Sequence, residues 1–314
     1  MKKVFVTRRL PSVVKEILQD KFDVHYNNEN KPFPSSDLGE IVSNFDAVLC
    51  TVSEKFDKNV LKKASRLRVI SNYATGLDNI DFSYARSMGI SVYNTPDAVT
   101  NSTADLTLAI LLSLTRKISF AQKFIKKDNW KSWDPEIFLG EELHGKVFGI
   151  IGFGKIGQAV AQRAAGFGMK VIYYNRSFKD VSSLLLPPYN NFIRHCSLDE
   201  VLENSDYISI HLPYNDETNN FVNKDLIGKM KKKPIILNMA RGEVLNTKDL
   251  IKALELNKIR GAGLDVISSE PISSSHPLCH FENCIVVPHI GTATIECRNE
   301  MARIAAKNIY DHYI

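Results

Sequence analysis

Residues 146 to 176 confine this chain to a narrow set of folds. Lys146-Val147-Phe148-Gly149-Ile150-Ile151 is a short apolar run that reads as a buried parallel strand, and Gly152-Phe153-Gly154-Lys155-Ile156-Gly157 follows it directly. Gln158 to Ala165 continues as a good helix former, and Lys170-Val171-Ile172-Tyr173-Tyr174 supplies a second strand. A dinucleotide pyrophosphate needs that order. The first glycine makes a tight turn, the second lets backbone approach the phosphates, and the third allows close helix–strand packing. The helix then offers unpaired N–H groups and a positive dipole end to the anion. A glycine triplet alone is weak evidence; strand, glycines, helix and strand in one short unit are far more specific. Gly152, Phe153, Gly154, Lys155, Ile156 and Gly157 are therefore the expected cofactor loop.

The second strand bears on which dinucleotide. It ends at Asn175-Arg176-Ser177, 23 residues after Gly152. Sites for NAD usually place Asp or Glu there, to accept hydrogen bonds from the ribose hydroxyls. No acid stands at 175–177, so a 2′-phosphate meets no repulsion from the strand end, and Arg176 can pair with it in a forked, charge-assisted way. Asn175 and Ser177 add neutral donors, Lys179 lies nearby, and Asp180 is close enough to mute the charge. NADP(H) is expected in preference to NAD(H), with NAD(H) still possible.

At 314 residues the chain exceeds one comfortable core, which points to two domains. Apolar content of 44% and charged content of 24% are ordinary for a globular protein. The net charge of +5 is mild, and clusters such as Lys126-Lys127 and Lys231-Lys232-Lys233 read as solvated faces. Without a basic stripe and interleaved aromatics, no nucleic-acid partner is expected; the sign of the charge favours anionic ligands. Cys50, Cys196, Cys279, Cys284 and Cys297 form no CxxC pair, and Cys279, His280 and Cys284 do not match zinc-ligand spacing, so no metal is expected. The start, MKKVFVTRRL, is no signal peptide. No stretch approaches the ~18 apolar residues of a membrane span. A cytoplasmic protein with no membrane partner follows.

Strand-like runs at 4–7, 24–26, 47–50, 69–72 and 91–93 alternate with helical patterns at 11–19, 57–64 and 82–88, whereas 27–36, rich in Asn, Pro and Ser, reads as a surface loop. A long helix is expected to start near Asn101-Ser102-Thr103, with capping side chains and Asp105 in its first turn, and to run through Leu114. Strand-like runs resume at 147–151, 171–174, 207–211, 234–238, 261–265 and 285–287, and a last helical pattern spans 294–310. Such alternation predicts α/β architecture: two doubly wound parallel-sheet domains, a Rossmann nucleotide-binding domain and a flavodoxin-like substrate domain, with a cleft between them. The expected boundaries are 1–98 with 288–314 for the substrate domain and 99–287 for the dinucleotide domain.

Three polar residues stand just beyond strand-like runs: Arg241 after Ile235-Ile236-Leu237-Asn238, Glu270 after Gly263-Leu264-Asp265-Val266, and His289 after Ile285-Val286-Val287-Pro288. Ligands of doubly wound sheets bind off the carboxyl ends of strands, so all three are candidates for the reacting centre.

These signatures resemble the D-isomer-specific 2-hydroxyacid dehydrogenase family over essentially the whole chain. They are the glycine loop, Asn238-Met239-Ala240-Arg241-Gly242-Glu243-Val244, Leu264-Asp265-Val266 followed by Glu270-Pro271, and Pro288-His289-Ile290-Gly291-Thr292-Ala293-Thr294. Asn72-Tyr73-Ala74-Thr75-Gly76-Leu77-Asp78-Asn79-Ile80-Asp81 resembles the family's substrate-carboxylate loop. Trp130-Lys131-Ser132-Trp133, with the 175–177 segment, is most similar to the glyoxylate/hydroxypyruvate reductases of that family.

The resemblance implies reduction of a small 2-keto acid to a D-2-hydroxy acid by hydride transfer. His289 would donate the proton as imidazolium. Glu270, on its other nitrogen, would fix the ring and raise the histidine pKa above its free value of ~6.5. Arg241 would grip the substrate carboxylate and carbonyl oxygen, with backbone N–H groups of Thr75 and Gly76 on the carboxylate's other side. By the same resemblance Thr103, Met239, Ala240 and Gly291 touch the cofactor, Asp265 positions the nicotinamide amide, and His211-Leu212-Pro213 line the adenosine side. It also implies a homodimer, in which a partner tryptophan reaches the substrate site. The other readings are an NAD-linked dehydrogenase of D-lactate, phosphoglycerate or 2-ketogluconate, and a dinucleotide-sensing, corepressor-like binding protein.

Overall fold

The apolar runs at 47–50, 69–72, 207–210, 235–238 and 261–264 become strands buried on both faces, which is what helices packed on either side of a parallel sheet require. The computed structural model describes residues 1–181 and 192–314. They divide into two units, Met1–Val99 with Thr292–Ile314, and Thr100–Gly291.

The first unit alternates β1 (Lys2–Val6), α1 (Val13–Leu18), β2 (Phe22–Tyr26), α2 (Ser35–Val42), β3 (Ala47–Cys50), α3 (Lys58–Lys63), β4 (Val69–Asn72), α4 (Phe82–Ser87) and β5 (Ser91–Tyr93). Its sheet is parallel with order β2-β1-β3-β4-β5, the flavodoxin-like order. β3 and β4 are wholly buried and paired so that Cys50 lies beside Asn72. Asp57 and Asp81 start α3 and α4 by accepting first-turn N–H bonds.

The second unit holds α5 (Thr100–Thr115), α6 (Ile118–Lys126), β6 (Val147–Ile151), α7 (Lys155–Gly166), β7 (Lys170–Tyr174), β8 (Ile193–His195), α8 (Leu198–Asn204), β9 (Tyr207–Ile210), α9 (Lys224–Gly228), β10 (Ile235–Asn238), α10 (Thr247–Glu255), β11 (Gly261–Leu264) and β12 (Cys284–Val286). Its sheet is parallel with order β12-β11-β10-β9-β6-β7-β8, so the direction of winding reverses between β6 and β9. That is the Rossmann arrangement. The chain then returns to the first unit as α11 (Ile295–Tyr313), whose Ala305 carbonyl accepts from Ser71 Oγ at 2.8 Å.

Two details depart from the sequence expectations. The stretch read as surface loop 27–36 ends inside α2, and Asn27 is buried, its amide donating to the Thr7 and Lys31 carbonyls. Asn101, Ser102 and Thr103 lie within α5 rather than capping it, and Ser102 and Thr103 are buried there. The second unit extends to Gly291, where the Asp265 carboxylate accepts from the N–H groups of Ile290 and Gly291.

Candidate active site

Register places the candidate residues of the second unit on one level. Neighbouring strands pair Val286 with Leu264, Leu264 with Asn238, Asn238 with Ile210, Ile210 with Ile151, and Ile151 with Tyr174. Every candidate of this unit except Thr103 follows a member of that row by only a few residues. Parallel strands in common register thus deliver residues from distant parts of the chain to one edge of the sheet.

At its centre the glycine loop turns off β6. Gly152 has φ +93°, a region costly for residues with a β-carbon, and a side chain there would meet the His211 carbonyl carbon at 2.7 Å. Gly154 caps α7, and a β-carbon built on it meets nothing within 4 Å. This open approach to a helix N-terminus fits a pyrophosphate. His211 Nδ1 is buried with no partner among the described residues, while Nε2 lies 2.8 Å from Ser209 Oγ. Burial pushes the His211 pKa down to about 3, so the ring is neutral.

Some expected cofactor contacts are already engaged within the protein. Phe153 is fully buried with its ring stacked on Tyr173 at 3.7 Å, and its N–H donates to Asn175 Oδ1 at 3.2 Å. Asn175 Nδ2 donates to the Ser177 carbonyl at 2.9 Å. The amide therefore ties strand end to glycine loop. Arg176 is exposed and pairs with Glu217 at 3.1 Å, a partner other than the Asp180 considered from sequence. Pro213 accepts from Thr218 Oγ1 at 2.6 Å, Leu212 follows His211 against Gly152, and Met239 and Ala240 are buried. Lys155 is exposed and Ile156 half-buried in the first turn of α7, and Gly157 backs onto the Gly152 carbonyl.

At the other end of the row, Arg241, Glu270 and His289 follow the adjacent strands β10, β11 and β12. His289 Nδ1 lies 3.1 Å from Glu270 Oε2, and Glu270 Oε1 accepts from the Ile267 N–H at 2.9 Å. Burial alone would raise the Glu270 pKa. The bonds from His289 and Ile267, with the charges of His289 and Arg241, outweigh it and hold the carboxyl below its ordinary range. The Arg241 carbonyl accepts from Asn238 Nδ2 at 2.9 Å, and Gly242 lies directly on the Ile267–Ser268 backbone, where any side chain would collide. That close approach brings the Arg241 turn beside the segment carrying Glu270.

His289 itself has φ +52°. Its N–H donates to the Asp265 carbonyl at 3.0 Å, and the buried Asp265 carboxylate accepts from Ile290 N at 2.6 Å and Gly291 N at 2.9 Å. Desolvation raises the Asp265 pKa, opposed by those two N–H groups and by His289. Thr103 Oγ1, from the first turn of α5, donates to the Gly291 carbonyl at 3.4 Å. Thr103, Asp265, Gly291 and His289 are thus one connected cluster.

Thr75 and Gly76 belong to the first unit, in the loop after β4. Asn94 Nδ2 donates to the Thr75 carbonyl at 2.7 Å, Asn72 Nδ2 to the Gly76 carbonyl at 2.9 Å, and Thr95 N–H to the Ala74 carbonyl at 2.8 Å. Asn79 Nδ2 ties the same loop to the Thr51 and Glu54 carbonyls at 3.0 and 2.9 Å. With these carbonyls engaged, the Thr75 and Gly76 N–H groups have no acceptor among the described residues. Adjacent backbone N–H groups without an acceptor suit a carboxylate. Sequence reading missed Asn72, Asn79 and Asn94 as functional supports, although amides crowding a short loop are the signal for side-chain-to-backbone anchoring. Glu217 was missed because its partner is remote in sequence.

Among the described residues, no group of three or more His, Cys, Asp or Glu is arranged to hold a metal, and no helix is long and apolar enough to cross a membrane.

The family of D-isomer-specific 2-hydroxyacid dehydrogenase NAD-binding domains matches residues 108–291. The glyoxylate reductase of Pyrococcus furiosus is 42% identical over 311 residues, covering 98% of this chain and 91% of that protein. Among solved structures, the TT0316 protein of Thermus thermophilus superposes with a TM-score of 0.89 at 37% identity, covering 98% of this chain and 96% of that one. An NADPH-dependent glyoxylate/hydroxypyruvate reductase of Sinorhizobium meliloti, solved with NADP and malonate, gives 0.86 at 26% identity, covering 99% and 93%. The D-lactate dehydrogenase of Aquifex aeolicus, solved with NAD and lactic acid, gives 0.83 at 28%, covering 98% and 95%.

Proposed function

The chain belongs to the D-isomer-specific 2-hydroxyacid dehydrogenases, NAD(P)-dependent oxidoreductases acting on 2-keto and 2-hydroxy acids, and within that family we propose that it is an NADPH-preferring reductase of glyoxylate or hydroxypyruvate. The observation that carries the chemistry is the 3.1 Å contact between His289 Nδ1 and Glu270, which leaves Nε2 for the substrate oxygen. The bound cofactor supplies the hydride. His289 gives its Nε2 proton to the oxygen that gains charge, Glu270 holds the ring and compensates the imidazolium, and Arg241 binds the carboxylate and carbonyl oxygen. Thr75 and Gly76, whose N–H groups have no acceptor among the described residues, are the first unit's candidates for holding the substrate carboxylate.

NADPH preference rests on Arg176 and on the absence of acid at 175–177. A homodimer is supported by apolar side chains along 118–139, where α6 buries no residue of its own and Trp130 and Trp133 are 63% and 80% exposed. A cytoplasmic setting is supported by cysteine spacing that matches no disulfide framework. The test is NADPH oxidation, followed optically, with a panel of 2-keto acids. Glyoxylate and hydroxypyruvate are expected to turn over, and His289→Asn to lower kcat by about 10²–10⁴-fold. No turnover with any 2-keto acid would end the proposal.

A further inference from the structure

Arg176 makes one ion pair among the described residues, and its partner comes from another loop. Its Nη1 lies 3.1 Å from Glu217 Oε2. Both backbones are tied by side-chain hydrogen bonds. Asn175, the residue before Arg176, holds the Phe153 N–H of the glycine loop at 3.2 Å. Glu217 lies in a turn built on Asn215, whose Oδ1 accepts from the Glu217 and Thr218 N–H groups at 3.0 and 3.1 Å, while Thr218 Oγ1 closes the turn onto the Pro213 carbonyl at 2.6 Å. Both side chains are otherwise open, at 79% and 77% exposure.

We propose that Glu217 is a specificity residue for the dinucleotide, competing with a 2′-phosphate for Arg176 and so holding down the preference for NADPH over NADH. The inference rests on the reading that Arg176 receives that phosphate. Strand β7 lacks the acid that serves an unphosphorylated ribose, and Glu217 restores a carboxylate to the same neighbourhood from the loop after β9. It acts in two directions. A carboxylate accepts a hydrogen bond from a 2′-hydroxyl, and it repels a 2′-phosphate while occupying that phosphate's guanidinium. An exposed pair is weak enough for a dianion to displace, which limits the competition to about fivefold in affinity.

The experiment titrates the full chain with 2′,5′-ADP and with 5′-AMP by calorimetry, for wild type, Glu217→Gln, Arg176→Ala and the neighbouring Asp216→Asn. Glu217→Gln is expected to tighten 2′,5′-ADP about three- to fivefold, to leave 5′-AMP unchanged or weaker, and to lose most of its gain at high salt. The ratio of kcat/KM for NADPH over NADH rises by the same factor, and Asp216→Asn moves neither value. If Arg176→Ala weakens 2′,5′-ADP while Glu217→Gln changes nothing, the role of Glu217 is overturned and the cofactor reading stands. If Arg176→Ala also leaves 2′,5′-ADP binding unchanged, the cofactor reading falls and takes this inference with it.

Discussion

At φ +52° His289 occupies backbone space that a β-carbon makes costly, about 1–3 kcal/mol. Asp265 offsets the cost by accepting the two N–H groups that follow. Asp265→Asn keeps one acceptor and turns an N–H against the other donor. It is expected to destabilise the protein by about 1–3 kcal/mol in denaturant unfolding, and to lower kcat more than it raises substrate KM. Glu270 carries a pH signature of definite sign. Its folded pKa is depressed, so its contribution to stability is complete above the unfolded value of ~4.3 and is lost as pH falls through the lower folded value. The difference in Tm between wild type and Glu270→Gln should therefore narrow as the solution is acidified from neutral to about pH 3. A constant gap would show that no such shift exists. None of this backbone geometry is legible in the letters Pro288-His289-Ile290-Gly291. What sequence does carry is the chemistry of the side chains and their place after strands.

Strands and glycine loop were the readable elements, because a buried parallel strand must be an apolar run and a turn against another backbone must be glycine. Helix α2 was hidden by the Pro, Asn and Ser around its start, and β8 has only three residues, too few for periodicity to register. The amide lattice behind Thr75 and Gly76 was invisible for another reason: its bonds join segments that meet only through strand pairing. Asn94→Ala frees the Thr75 carbonyl and loosens the loop. It should raise KM for the keto acid several-fold with kcat and NADPH KM little changed, whereas a mere loss of fold would lower the apparent kcat and leave both KM values where they were. At the β9 end, His211 is held neutral, its pKa lowered from 6.5 to about 3. The unfolded chain takes up a proton there before the folded one does, so stability declines as pH drops from about 6.5 toward 3. His211→Asn should flatten the dependence of Tm on pH in that window.

For the whole molecule, the readable fact was two parallel-sheet domains, written in two runs of alternating strand and helix patterns. The apolar segment at 118–139 carries a prediction at this scale. Trp133→Ser with Ile125→Ser should shift sedimentation from dimer toward monomer at micromolar protein while circular dichroism stays unchanged. A wild-type protein that sediments as a monomer at every concentration would remove the dimer from the proposal. The joining of Met1–Val99 to Thr292–Ile314 has a temporal consequence. α11 packs on the first sheet through Ser71 to Ala305, Tyr73 to Arg298, and Phe22 against Tyr310. A ribosome therefore delivers Met1–Val99 long before the helix that covers it. Thr100–Gly291 can settle as soon as it emerges, whereas Met1–Val99 waits for a partner made after that whole unit.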